Sequence, residues 1–324
     1  MTSVTIPASD LYEKVRHVVP EAEWGVFADD AEAILRLKRE RNAVILAHNY
    51  QTPEIFYGVA DIVGDSLKLA QEATTVDADV IVLAGVHFMA ETAKLLNPSK
   101  TVLIPDPEAG CSLASSITAD DVLGLRAQHP GVPVVTYVNT SAAVKAVSDV
   151  CCTSGNAVRV IESLGVDKVI MIPDQYLAAN IAKQTGVEIV TWAGSCIVHE
   201  QFTPRDIQQI RDENPGIVVL AHPECPPEVV EVADLSGSTA QMSDYVSTRK
   251  PKQVALITEC SMSDNVAAQN PDVEFIRPCN LCPFMKRITL AKIRRSLETL
   301  TTEVTIDPAV AADARRSVER MLAI

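Results

Sequence analysis

No apolar run in this 324-residue sequence comes near the roughly 20 residues that a membrane-spanning helix requires. The longest, such as "ADVIVLAGV" and "GIVVLAH", have the length of buried strands, so no membrane helix is expected. A basic excess is missing too: 28 Lys and Arg stand against 42 Asp and Glu, a formal charge of −14 with a pI near 4.9. That balance argues against an extended footprint on nucleic acid or on an anionic membrane, while leaving room for a small anionic ligand. The opening "MTSVTIPASDLYEKV" has neither the basic stretch nor the apolar core of a secretory leader. The expected compartment is therefore the cytoplasm, where disulfides are rare. The eight cysteines are expected there as metal ligands, catalytic thiols or buried small side chains rather than as disulfides.

What the chain does have is apolar mass arranged in a repeat. Hydrophobic residues make up 47% of it, and its length suggests two or three domains, each with its own core. A period near 86 residues emerges when the apolar runs are aligned. The first copy contains "AVILAHNY", "GVADIVGDSLKLA", "ADVIVLAG" and "AETAKLLNPSKTVLIP"; the second "PVVTYVNT", "AVSDVCCTSGNAVRV", "DKVIMIPD" and "LAANIAKQTGVEIVTW"; the third "GIVVLAHPE", "EVADLSGSTAQMS", "KQVALITE" and "SDNVAAQNPDVEFIRP". Strand-like runs alternate with stretches of helical period, the pattern of parallel α/β units. The expected fold class is α/β, with three pseudo-threefold-related three-layer α/β/α domains and parallel sheets around a central site. Expected boundaries are a helical segment over 1–40, units over 41–125, 126–205 and 206–284, and helices over 285–324. In the flanks, "DDAEAILRLKRERN" and "DPAVAADARRSVERMLA" read as amphipathic helices.

Polar residues keep the phase of the repeat. The first strands end in His48 to Tyr50, Val138 to Thr140 and His222 to Glu224; Asp61, Asp149 and Asp234 precede the next short strand. Ser66, Ser154 and Ser238 follow it and open a helix, and the last strand of each copy leads to Cys111, Cys196 and Cys282. Serine to cysteine separations are 45, 42 and 44, and cysteine to cysteine 85 and 86. Ligand groups in parallel sheets gather beyond the carboxyl ends of the strands, so three such units would bring these columns to one place.

Three converging thiols suit a catalytic cluster better than a structural zinc, which takes four ligands, usually as local pairs. Cys111 and Cys196 stand alone, and only the third position is a pair, Cys279 and Cys282 in "PCNLCPFM". A 4Fe-4S cluster held by three thiolates instead of the usual four leaves one iron open to act as a Lewis acid. Spacing leaves the third ligand undecided, at 83 residues for Cys279 and 86 for Cys282; the unused thiol is expected to be a redox thiol or, by default, a bystander.

His48, His222 and Glu224 fall where general acid and base groups are needed, although a single strand-end histidine is more often a core residue. Tyr50, Tyr137 and Asn139 can orient carbonyl or enol oxygens, and His199, three residues after Cys196, points to the same junction. The serines and Thr239 read individually as plain N-caps and jointly as helix N-termini that could seat an anion. His17, His87 and His129 lie outside these columns.

"ILAHNYQTPEI", "GDSLKLA", "GVHFMAETAKLLNPSKTVLIP", "YVNTSAAVKA", "CCTSGNAV", "VHEQFT", "AHPECPPEV" and "CPFMKRITL" occur in the order found in quinolinate synthases, and the chain resembles that family over about residues 40 to 300. The resemblance implies three similar α/β domains around one 4Fe-4S cluster with three cysteine ligands: Cys111, Cys196 and the residue directly before "PFM", Cys282. It implies a transferase that condenses iminoaspartate with dihydroxyacetone phosphate to quinolinate, the precursor of NAD, with loss of phosphate and water. The substrate-binding positions it carries over are His48, Ser66, Tyr137, Asn139, Ser154, His199, His222, Glu224, Ser238 and Thr239. The catalytic candidates are Glu224, Tyr50, His48, His222 and Tyr137. Functional coupling to the L-aspartate oxidase that makes iminoaspartate also follows. Some relatives carry a longer cysteine cluster near the CxxC, so a disulfide switch is not carried over. The residues alone also admit a cluster-dependent reductase or radical enzyme of similar architecture, or an iron–sulfur carrier; acid and base groups around the metal count against a carrier.

Overall fold

A computed structural model gives the structure of residues 8–324, with side chains described from residue 11. The reading of the N-terminus as leaderless rests partly on residues 1–7, which lie outside the described residues. Three parallel four-stranded sheets follow one another along the chain. The first contains β1 (Ala43–His48), β2 (Ile62–Gly64), β3 (Val80–Ala84) and β4 (Thr101–Leu103); the second β5 (Val134–Tyr137), β6 (Val150–Cys152), β7 (Lys168–Ile172) and β8 (Glu188–Thr191). The third contains β9 (Val218–Ala221), β10 (Leu235–Ser236), β11 (Gln253–Ile257) and β12 (Glu274–Ile276). Strand order is the same in all three: β2-β1-β3-β4, β6-β5-β7-β8 and β10-β9-β11-β12. The continuous apolar runs "AVILAH", "VIVLA" and "VVTY" explain this order, because strands covered by helices on both faces need no polar alternation and take the centre.

The aspartate column repeats for a structural reason. Asp61, Asp149 and Asp234 each accept the backbone N–H of a residue in the first strand: Ile45 at 2.8 Å, Val134 at 2.7 Å and Val219 at 2.7 Å. Each also pairs with a cation on the helix ahead of that strand: Lys38 at 2.7 Å, Arg126 at 2.7 Å and Arg211 at 2.9 Å. The same three cations donate to the carbonyls of Val59, Val147 and Val232. These clamps fasten helix, first strand and edge strand together at the end away from the strand-end polar groups. The expectation that this column joins the central site is therefore corrected: its carboxylates are consumed by backbone donors and cations.

The largest apolar cluster runs through the first two sheets, and the third sheet has one cluster on each face. Both flanking sequences are helical, at Glu21–Glu40 and Pro308–Leu322. The latter packs on β6 and on the helix Ala142–Ala146, and the helix Leu290–Thr299 packs on Glu21–Glu40. The strand edge at β4 is covered by residues 302–304, with Ile104 N donating to Thr302 O and Val304 N to Val102 O. Among the described residues, no helix is long and apolar enough to cross a membrane.

One cysteine expectation is overturned. Cys260 and Cys279 form a disulfide with their Cα atoms 4.8 Å apart. β11 and β12 are parallel neighbours, and the chain beyond them stays paired through Glu259 and Asn280, which brings the two cysteines side by side. Cys279 is thus a bonded residue and not a bystander, and the remaining six cysteines are free.

Candidate active site

The carboxyl ends of the three sheets surround one cleft. Into it the first unit sends His48, Tyr50, Ser66 and Cys111; the second Tyr137, Asn139, Ser154, Cys196 and His199; the third His222, Glu224, Thr239 and Cys282. Of the substrate-binding, catalytic and cluster-ligand residues that the resemblance implies, only Ser238 is missing from this lining. Its hydroxyl accepts the backbone N–H of Gln241, and the Gln241 side-chain oxygen accepts the backbone N–H of Ser238, so it serves as a helix cap. Ser66 shows the opposite. The capping position there belongs to Asp65, whose carboxylate takes Lys68 N at 2.9 Å, and Ser66 is released to the cleft. Ser154 lies ahead of its helix, whose N-terminal position is taken by Asn156; that side chain accepts Thr153 N at 2.7 Å and makes no cap bond to the helix.

His48 and His222 share one arrangement. The backbone N–H two residues on donates to Nδ1 in both, Tyr50 N at 3.1 Å and Glu224 N at 3.3 Å. An Nδ1 that accepts leaves the proton on Nε2, so each neutral ring offers one donor. For His222 that donor lies 3.3 Å from Ser154 Oγ. Burial drives both rings toward neutrality, His48 to about 4 and His222 to about 3, against the pull of Glu224.

Glu224 is the electrostatic centre. Its Oε2 lies 2.6 Å from His199 Nδ1, and its Oε1 lies 3.4 Å from Asn139 Nδ2. Burial would raise its pKa, but His199 and His222 together with hydrogen bonds from His199 and Tyr137 outweigh burial and hold it at about 2. The carboxylate in turn keeps Tyr50 and Tyr137 protonated: burial first, and then Glu224, push both phenols well above their usual range. Asn139 Oδ1 is buried with no partner among the described residues, an acceptor left for something else in the cleft.

The three thiol loops are stapled to one another and to the third sheet. Ser112 Oγ donates to Ser195 O at 3.0 Å and accepts Ile197 N at 3.2 Å, which ties the Cys111 loop to the Cys196 loop. The Cys282 loop is held through its own N–H, 3.3 Å from Glu259 Oε1, and Glu259 is buried against Lys286 at 3.0 Å.

A model of the family described as "Quinolinate synthetase A protein" matches residues 32–323. The chain belongs to the quinolinate synthase family. It is 70% identical to "Quinolinate synthase" of Agrobacterium fabrum over 319 residues, 98% of this chain and 92% of that one. It is 68% identical to "Quinolinate synthase 2" of Mesorhizobium japonicum over the whole of both chains, and 71% identical to the Xylella fastidiosa protein over 92% of this chain and 88% of that one. Members of this family are enzymes of NAD biosynthesis.

The donor chemistry of this quinolinate synthase family member fits a cationic metal centre. Burial pushes Cys111 up to about 12, and it pushes Cys196 and Cys282 in the same direction. The charge of Glu224 adds to this for Cys111 and Cys196. Thiols so placed ionise only against a compensating positive charge such as a metal cluster.

Sequence reasoning missed the residues that hold this site without lining it. Thr258 and Glu259 follow β11 in "ALITE", and Asp174 follows β7 in "MIPD". The ends of the third strands in the second and third units thus carry polar residues that the reading of the first, second and last strands passed over. Lys145, fully buried, donates to the carbonyls of Val138 and Thr140 on either side of Asn139; nothing in its local sequence marks it.

Proposed function

We propose that this cleft condenses iminoaspartate with dihydroxyacetone phosphate to quinolinate, releasing phosphate and water, as an iron–sulfur-dependent transferase of the cytoplasm. The observation that carries the reading is the shared cleft: three free thiols from three repeat units open on the same space as a buried carboxylate, two neutral histidines and two phenols. Cys111, Cys196 and Cys282 would hold one 4Fe-4S cluster. When bound, the cluster supplies a Lewis-acidic iron that has no protein ligand.

The chain's own residues do the rest. Ser66, Ser154, Thr239 and Asn139 offer hydroxyl and amide groups to the substrate carboxylates, with Ser66 and Thr239 beginning helices whose free N–H groups favour anions. Ser238 supports this set as the cap of the helix that carries Thr239. The dihydroxyacetone phosphate end lies toward His199. His48 and His222 donate from Nε2 to substrate oxygens and hold them in place without changing charge near neutral pH. Glu224, ionised, accepts a proton during isomerisation, Tyr50, protonated, donates toward an oxygen that leaves or develops charge, and Tyr137, hydrogen-bonded to Glu224, orients the carboxylate. A reactive imine is best used where it is made, so functional coupling to an L-aspartate oxidase belongs to the same proposal. We divide the chain, within the same reading, into domains over 41–125, 126–205 and 206–284 with helical flanks.

The test is anaerobic incubation of the reconstituted protein with iminoaspartate and dihydroxyacetone phosphate. Quinolinate, with one phosphate released per product, is expected; its absence while the cluster is intact would overturn the assignment.

A further inference from the structure

The turn that carries Glu224 is held from outside its own unit. Asn180, in the second unit's helix Gln175–Ala182, is buried, and its Nδ2 donates to Pro223 O and to Cys225 O, both at 2.9 Å. These are the carbonyls on either side of Glu224. Asn265, buried in the third unit's helix Cys260–Gln269, repeats the arrangement on the first unit: its Nδ2 donates to Asn49 O at 3.1 Å and to Gln51 O at 2.8 Å, on either side of Tyr50. Each asparagine is the sixth residue of the helix that follows its unit's third strand. Each of these helices packs on the short helix beyond the turn it holds, Pro227–Val232 or Pro53–Phe56. We propose that Asn180 and Asn265 are positioning residues for the reaction: from the neighbouring unit, each amide fixes the peptide groups that flank a reacting side chain and so sets the aim of Glu224 and of Tyr50.

Both contacts of each amide go to carbonyl oxygens, which only its nitrogen can serve. The other end of the amide does nothing: Oδ1 of Asn180 and of Asn265 is buried with no partner among the described residues. A buried acceptor left unpaired costs stability, so the position is built for its donors. Within each turn the N–H groups are bonded locally. Cys225 N and Gln51 N donate to His222 O and His48 O, both at 2.9 Å, and Glu224 N and Tyr50 N donate to the histidine rings. The flanking carbonyls are left to the neighbour. With the amide gone the peptide planes before and after Glu224 can rotate, and the contact of its Oε2 with His199 Nδ1 loses its fixed base. The first unit shows the same helix without the amide. Its sixth residue is Thr92, whose Oγ1 donates to Phe88 O of its own helix at 2.8 Å. The second unit's turn is held instead by its own Lys145, on the carbonyls of Val138 and Thr140 that flank Asn139. All three turns are thus clamped on both sides of a residue that lines the cleft, and the repeat accommodates a threonine where the asparagines stand.

The role rests on Glu224 and Tyr50 acting as proposed above, and the test separates the two claims. Asn180→Thr, Asn265→Thr, Glu224→Gln, Tyr50→Phe and the double variants Glu224→Gln/Asn180→Thr and Tyr50→Phe/Asn265→Thr are reconstituted without oxygen and assayed for quinolinate formed per cluster. Each threonine variant is expected to lower kcat roughly 10- to 100-fold, the scale of a displaced reacting group, with KM for both substrates within about twofold of wild type. Asn180→Thr is expected to add little to the loss in Glu224→Gln, and Asn265→Thr little to that in Tyr50→Phe, because the aim of a missing group no longer matters. If a threonine variant does not fold, the alanine variant at that position carries the same expectations. With wild type active and Glu224→Gln and Tyr50→Phe slowed, wild-type kcat in an asparagine variant would overturn the role of that asparagine alone. So would a loss that falls mainly on KM, or one that multiplies in the double variant. Wild-type protein that makes no quinolinate, or Glu224→Gln and Tyr50→Phe as fast as wild type, would overturn the underlying reading and this inference with it.

Discussion

His199 Nδ1 and Glu224 Oε2 lie 2.6 Å apart, with both side chains closed off from solvent. A buried carboxylate survives in ionised form only with such partners, and Glu224 has His199, Tyr137 and Asn139 around it. Glu224→Gln keeps the shape and removes the base. It is expected to fold and bind its cluster but to lose about 10²-fold or more in kcat, measured as quinolinate formed per cluster. A loss confined to KM would mean that the carboxylate only binds.

The neutral histidines make stability depend on pH. His48 and His222 are held at about 4 and about 3 when folded, against 6.5 in the unfolded chain. Between those values the unfolded state binds more protons, so stability rises with pH through this window and is lost on acidification from about 6.5 toward 4. The expected size is on the order of 1–2 kcal/mol per histidine between about pH 6.5 and 5. Melting curves at those two pH values should show a smaller acid-induced fall in a His48→Asn/His222→Asn variant than in the wild type; equal falls would contradict the burial argument.

The aspartate clamps offer a control at the far end of the sheets. Asp234→Asn weakens the contacts to Val219 N and Arg211 and is expected to cost roughly 1–3 kcal/mol in urea unfolding, with the rate of product formation unchanged. A slower enzyme of undiminished stability would place this column in the chemistry after all.

These clamps also show what could be read from the sequence and what could not. The phase of the repeat, the parallel α/β class, and the residues that reach the cleft follow from the positions of His48, His222, Cys111 and Cys196 at strand ends. Backbone donors are invisible in a sequence, so Asp61, Asp149 and Asp234 read as a polar column in phase with the others when their partners were N–H groups of the first strands. The same blindness hid the caps: Asp65 relieves Ser66, whereas Ser238 caps its own helix. Lys145 leaves no local signature because its partners are main-chain carbonyls. Register between β11 and β12, which a period cannot supply, is what joins Cys260 to Cys279.

That pairing has a direct consequence. Non-reducing peptide mapping of the isolated protein is expected to recover the Cys260 and Cys279 peptides joined, while alkylation after metal removal labels Cys282. Recovery of Cys279 joined to Cys282 would contradict the arrangement.

The central claim is that three thiols from three repeats hold one cluster. Iron and acid-labile sulfide per chain should be measured on protein purified without oxygen, for the wild type and for Cys111→Ala, Cys196→Ala, Cys279→Ala and Cys282→Ala. About four of each in the wild type, lost in every variant except Cys279→Ala, is the predicted result. Zinc in place of iron, or loss confined to Cys279→Ala and Cys282→Ala, would mean that the three sites do not share a metal.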